Sequence, residues 1–213
     1  MFSTTQRLIG TPAGGGAAAP TYRIDAKGVA QSGTVAVPSG ATSLTIKVQG
    51  NGGGGALTNL SATAYGGGAG GYSVKGPIDV TGEAGETLAW TLGSPGIGAL
   101  NTQGLGTPGG SATVTSATLA NWTGTITCNG GTGGTPYAPG EGGTATGGTS
   151  NTDGADGTQQ TGGASGSLLS RSSGPGLPGK SGGGGGPGLY VPSEQFQYQG
   201  GDGGPGFILF EFS

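Results

Sequence analysis

The chain has 213 residues, of which 56 are Gly and 13 are Pro, with 8% charged side chains and a net charge of −3. Seven scattered basic residues against ten acidic ones, with no His and no Arg-Gly-Gly repeat, exclude a clustered cationic nucleic-acid surface and leave a Ser or Cys nucleophile without its usual base. A single Cys excludes a disulfide framework and a Cys-ligated zinc site.

In chain order, residues 1–20 join a short mixed head, 2–9, to a small-residue tether, 14–19. Phe2, Leu8 and Ile9 have no local apolar partners, which reads as an arm that docks on another molecule; the alternative is a frayed terminus. No signal peptide and no membrane span is recognisable, so the expected place of synthesis and folding is a cytoplasm. Strand signals begin at Tyr22 and continue at 34–37, which ends on the turn Pro38-Ser39-Gly40. In 43–49, Leu44, Ile46 and Val48 alternate with Thr45 and Lys47, the period of a half-buried strand, and Gly50 follows without a linker. Short strands at 72–74 and 78–80 lead through the turn 82–85 to a second alternating run, Leu88, Trp90 and Leu92. Strands at 112–115 and 123–128 follow, with Cys128 as a small apolar side chain and Trp90 and Trp122 assigned to the core. Residues 130–188 are nearly all Gly, Thr, Ser, Ala and Pro, and FILFEF at 207–212 reads as a central strand that completes a sheet. A helix fits nowhere, given Gly and Pro throughout and no apolar period of 3.6.

The glycines are spaced rather than scattered. In GLPGKSGGGGGPG, 176–188, residues Gly176, Gly179, Gly182, Gly185 and Gly188 fall at intervals of three, and the interval recurs at Gly200, Gly203 and Gly206 and in pairs such as Gly52 and Gly55. Three residues per turn is the repeat of an extended left-handed helix with no internal hydrogen bonds, whose backbone groups need partners when buried. Parallel packing of several such helices supplies partners where facing positions lack a Cβ. A flexible linker, a collagen triple helix and disorder are the competing readings of a Gly-rich chain; the period fails at Ser173 and Val191, which weighs against collagen, and the low net charge weighs against disorder. The expected fold is all-β: a small β-sandwich of short strands carrying a packed bundle of polyglycine-II-like extended helices, essentially without α-helix, as one domain over 21–213 behind the 1–20 arm. Its turning points would form one exposed end.

The ordered set VPSG at 37–40, LTIKVQGNGGGG at 44–55, GGGAGGYSV at 66–74, GETL at 85–88 and GGDGGPGFILFEF at 200–212 resembles the glycine-rich domain of tailed-bacteriophage tail-fibre and tail-tip proteins. The resemblance covers about residues 33–213. It implies an adhesin-like virion protein in which extended glycine helices pack together and loops at one end contact a bacterial surface receptor, protein or polysaccharide. It also implies other virion proteins as partners of the arm, with Phe2, Leu8 and Ile9 as docking residues. A structural tail-tip, baseplate or capsid decoration protein without receptor binding is the alternative.

Segments that break the period are then the loops: 56–65, 97–103, 135–139, 149–160, 168–177 and 189–199. Their candidate receptor-binding residues are Tyr137, Asp153, Asp156, Arg171, Tyr190, Phe196 and Tyr198, because rigid aromatics among adaptable polar side chains suit recognition. For each aromatic the alternative is that it covers a neighbouring glycine helix; for Asp153 and Asp156 it is solubility or calcium binding, although neither the EF-hand spacing nor a GGxGxD repeat is present. No enzyme activity, cofactor, metal site, nucleic acid or membrane insertion is expected, and the virion is the expected location.

Overall fold

The structure, a computed structural model, describes residues 7–8, 20–57, 64–100, 104–159, 161–163, 182–191 and 196–213. It is all-β, with two antiparallel sheets and no α-helix among the described residues. With strands numbered in chain order, the first sheet runs β1 (Arg7–Leu8), β2 (Thr21–Asp25), β13 (Phe207–Phe212), β4 (Ser43–Gln49), β5 (Tyr72–Asp79), β10 (Ser150–Thr152). The second runs β3 (Gln31–Ala36), β6 (Thr87–Leu92), β7 (Ala112–Ser116), β8 (Gly124–Cys128), β9 (Ala145–Thr146). β11 (Leu189–Val191) and β12 (Phe196–Tyr198) form a separate hairpin.

The two sheets share one core. Leu44, Ile46 and Val48 of β4 and Ile208 and Phe210 of β13 are buried with Leu88, Trp90 and Leu92 of β6, Val114 of β7 and Ile126 of β8. The period of two in β4 and β6 is what allows this, since every second side chain reaches the same face. β13 lies between β2 and β4 as a central strand, hydrogen-bonded along both edges. Phe207 points away from the shared core yet is buried, with the Arg23 guanidinium 4.5 Å from its ring centroid and the Tyr72 ring 6.4 Å away. Within β3, Gly33 leaves room for the Trp90 indole: a Cβ there would stand 2.8 Å from Trp90 Cζ2.

Two strand expectations need correction. Residues 72–74 and 78–79 belong to one strand, β5, that ends before Val80 and passes through Gly76-Pro77 where its register with β4 shifts between Leu44 and Ile46. Pro77 is tolerated because it falls at this irregularity and beyond the residues that β10 pairs. Within 130–188, β9 and β10 are additional strands at the edges of the two sheets.

Between the strands run the glycine segments, 50–57, 64–71, 93–100, 104–110, 129–135, 138–144, 153–158, 161–163, 182–188 and 199–206, linked by backbone hydrogen bonds. Amides of 50–57 donate in strict rotation. Gly50, Gly53 and Ala56 donate to Gly71, Gly68 and Tyr65; Asn51, Gly54 and Leu57 donate to Gly110, Thr107 and Gly104; Gly52 and Gly55 donate to Gly204 and Gly201, all at 2.9–3.1 Å. Carbonyls of the same segment accept from three others, through Gly96 and Ala99, Gly131 and Gly134, and Gly185 and Gly188. Six segments therefore surround 50–57. Segment 64–71 is enclosed in the same way, donating to 129–135, 153–158 and 182–188 and accepting from 50–57, 138–144 and 161–163.

Glycine density follows this enclosure. A Cβ on Gly52 or Gly55 would meet the backbone of Gly183 or Gly186, one on Gly53 the Thr132 carbonyl, and one on Gly54 the Ile97 carbonyl. An enclosed segment thus needs Gly at most positions, as in 52–55 and 66–68. Segment 104–110 keeps only Gly106 and Gly109 against 50–57, while Leu105, Thr107 and Pro108 face outward and are exposed. Gly182, expected to be a spacing glycine, instead has φ +78° and faces the Gln49 side chain. Residues 176–181 lie outside the described residues.

Candidate functional site

Segment direction defines the site. As donors advance through 50, 53 and 56 their acceptors retreat through 71, 68 and 65, so 50–57 and 64–71 are antiparallel. Gly131 and Gly134 donate to Asn51 and Gly54, so 129–135 runs with 50–57. The same bookkeeping makes 93–100 and 182–188 run with 50–57, and makes 104–110 and 199–206 run against it. The pairs 50–57 and 64–71, 93–100 and 104–110, and 129–135 and 138–144 each leave a strand at the sheet end and return to one, while 153–158 leaves β10 and 199–206 leads into β13. Residues 57, 64–65, 100, 104, 135–138, 158–159, 161, 188–191 and 196–199 consequently gather at the opposite, turning end.

Two turns there share one construction. Thr135 donates its N–H to Ala138 O at 2.9 Å, while Thr135 Oγ1 accepts from the N–H groups of Tyr137 and Ala138 at 3.1 and 2.8 Å. Thr158 donates its N–H to Thr161 O at 2.7 Å, and its Oγ1 accepts from the Thr161 N–H at 2.9 Å. A Thr hydroxyl that satisfies turn amides is a local clamp on the backbone. Between the clamps, Tyr65 donates its N–H to Thr135 O at 3.3 Å and Gly66 donates to Thr158 O at 2.8 Å, so both turns flank one residue. Gln159 Nε2 donates to the Tyr65 hydroxyl at 2.9 Å.

Tyr137 stands on the first clamp, 83% exposed, between buried Pro136 and exposed Pro139. Tyr65 is half-buried and Gln159 exposed. Along one flank, Ile97, Leu100 and Leu105 are exposed apolar side chains, and the Ile97 N–H is taken by Thr107 Oγ1 at 2.7 Å. No Lys, Arg, Asp or Glu occurs among the described turning-end residues. Among the described residues the nearest acids along the chain, Glu141, Asp156 and Asp202, lie within segments rather than turns.

The other candidate residues fall elsewhere. Asp153 follows β10 at the sheet end, where its Oδ1 accepts the Ala145 N–H at 2.8 Å, and Asp156 Oδ1 accepts the Gly142 N–H at 2.8 Å. Both carboxylates thereby take outward backbone donors of neighbouring segments, as Asp202 does for the Gly98 N–H at 2.8 Å. Tyr190, Phe196 and Tyr198 belong to the β11–β12 hairpin, in which Tyr190 pairs with Gln197. Leu8 lies in β1, paired with Tyr22 of β2. Arg171, Phe2 and Ile9 lie outside the described residues. No group of three or more potential metal-ligating side chains occurs among the described residues. Gln159 was not among the sequence candidates; the signal that could have found it is the shared pattern of GTPYA at 134–138 and GTQQT at 157–161, each with a Thr three residues before the turn closes.

Chemically, the turning end offers tyrosine rings, hydroxyls, a carboxamide and aliphatic surface, with no charged group among its described residues. Perturbed titrations lie in the sheets: burial pushes the Cys128 thiol up to about 12, burial raises Tyr72, and the Thr81 backbone N–H holds Asp79 below its usual value. Neither protein-family models nor curated proteins match the chain.

Proposed function

We propose that this chain is a bacteriophage virion protein of the tail tip or fibre end that binds a host surface receptor through the turns at the free end of its glycine segments. In this reading the segments are polyglycine-II-like helices packed as a bundle, and residues 1–20, with Phe2, Leu8 and Ile9, dock on other virion proteins. Support for the bundle is the interval of three between amides that donate to one neighbour, the repeat of a helix with three residues per turn. Ordered motifs from VPSG to FILFEF support the phage assignment by resemblance.

Tyr137 carries the receptor reading. A large aromatic side chain held 83% exposed on a clamped turn loses contact with water only when a partner covers it, and its fixed backbone lowers the entropy cost of that contact. The test is attachment of the fluorescently labelled chain to a panel of bacterial strains. Strain-selective attachment that Tyr137→Ala weakens about tenfold or more supports the reading. Failure to attach to any strain overturns it in favour of a structural role in the particle.

A further inference from the structure

We infer that the corner formed by Tyr65, Tyr137 and Gln159 is a binding site for a neutral saccharide. The inference rests on the receptor reading above and narrows it from a surface receptor to the uncharged sugars of one. Three observations converge on it. The first is composition: the described turning-end residues offer hydroxyls, carboxamides and aromatic rings and no ionic group, a set that pairs with uncharged hydroxyls rather than with an acidic group. The second is the Tyr137 ring, which projects into water from a turn clamped by Thr135 and closed by Ala138. A pyranose has an apolar C–H face that lies flat on such a ring, whereas its hydroxyls need donors and acceptors around the rim.

The third is the polar pair beside it. Gln159 Nε2 spends one hydrogen on the Tyr65 hydroxyl at 2.9 Å, which fixes the amide plane and leaves Oε1 and a second N–H for a ligand. Tyr65 Oη, accepting that bond, keeps its own hydrogen to donate. A donor and an acceptor at neighbouring positions match the vicinal hydroxyls of a sugar, which both donate and accept. A protein receptor would use the same tyrosines differently, burying them in an apolar pocket of its own without needing the oriented amide.

The experiment uses the full chain on an array of isolated neutral and acidic bacterial saccharides, and in parallel on cells pretreated with periodate or with protease. The expected result is binding to neutral saccharides and attachment lost after periodate but kept after protease. That binding should be unchanged between 50 mM and 500 mM salt, since Tyr65, Tyr137 and Gln159 carry no charge to screen (about 14 Å and 4 Å screening lengths, interpolating the usual values). Tyr137→Ala should weaken saccharide binding about tenfold, and Tyr65→Phe and Gln159→Ala about threefold each, with unaltered melting temperatures. Binding to acidic saccharides only, no binding to any saccharide, or attachment that survives periodate and is lost to protease overturns the saccharide site. In that last case the receptor reading itself stands; absence of attachment to every strain sinks both.

Discussion

Asn51 and Gln49, two residues apart at the end of β4, are both fully buried amides with opposite fates. Asn51 Nδ2 donates to Gly93 O and Gly110 O at 3.0 and 2.8 Å, and its Oδ1 accepts the Gly206 N–H at 2.8 Å, so one side chain ties three segments where they meet the sheets. Gln49 lies against Gly182 with neither Nε2 nor Oε1 partnered among the described residues. Removing a partner from buried polar groups costs about 1–3 kcal/mol for each group left unsatisfied, whereas removing an unpaired amide relieves that cost. Asn51→Ala is therefore expected to destabilise by about 3 to 5 kcal/mol and Gln49→Met to stabilise by about 1 kcal/mol, both measured by denaturant melts. Nothing in the sequence separates these two amides; their difference depends on which backbone groups arrive from 40 or more positions away. Cys128 was legible as an apolar strand residue, and its thiol, buried with Sγ 3.3 Å from Val48 O and pushed up to about 12, should resist maleimide at neutral pH until the protein unfolds. Rapid labelling of the native chain would contradict that burial.

Strands and glycine segments differ in how much sequence specifies them. β4, β6 and β13 were legible because alternation or a hydrophobic run reports directly on one or two buried faces. β9 and β10 were not, since strands of two and three small polar residues have no apolar pattern and exist only because β8 and β5 offer open edges. Among glycine segments, an interval of three marks a segment with one crowded face, but the two enclosed segments, 50–57 and 64–71, show runs of Gly instead, because every face meets backbone. One substitution type tests this at two places. Gly54→Ala puts a Cβ against the Ile97 carbonyl of a segment that cannot retreat, and is expected to destabilise by about 4 kcal/mol or more. Gly28→Ala, with no atom within 4 Å of the added methyl, should leave stability within about 0.5 kcal/mol or raise it slightly. Equal melting temperatures for the two variants would contradict the enclosure.

At the scale of the whole molecule, sheets at one end and turns at the other divide the residues into those that hold the chain together and those free to meet a partner. The loop reading of the sequence chose Tyr137 because 135–139 breaks the interval of three and carries an aromatic, and that residue is exposed on a turn; it also chose Asp153 and Asp156, whose carboxylates take the backbone N–H groups of Ala145 and Gly142. Spacing alone could not distinguish a period-breaking residue at a turn from one on the outer side of a segment. Under the proposed function, Tyr137→Ala should weaken cell attachment by about 1 to 3 kcal/mol without lowering the melting temperature, while deletion of residues 1–20 should spare attachment and prevent incorporation into particles. Each of these expectations requires that the glycine segments be a rigid support. Native-state hydrogen exchange at the amides of Gly53, Gly54, Gly67 and Gly68 measures that most directly, because each lies in an enclosed segment and donates to a carbonyl of a different segment. Protection equal to that of the β4 and β13 amides, lost only on global unfolding, is the predicted result; exchange at the rate of an unstructured chain would contradict it.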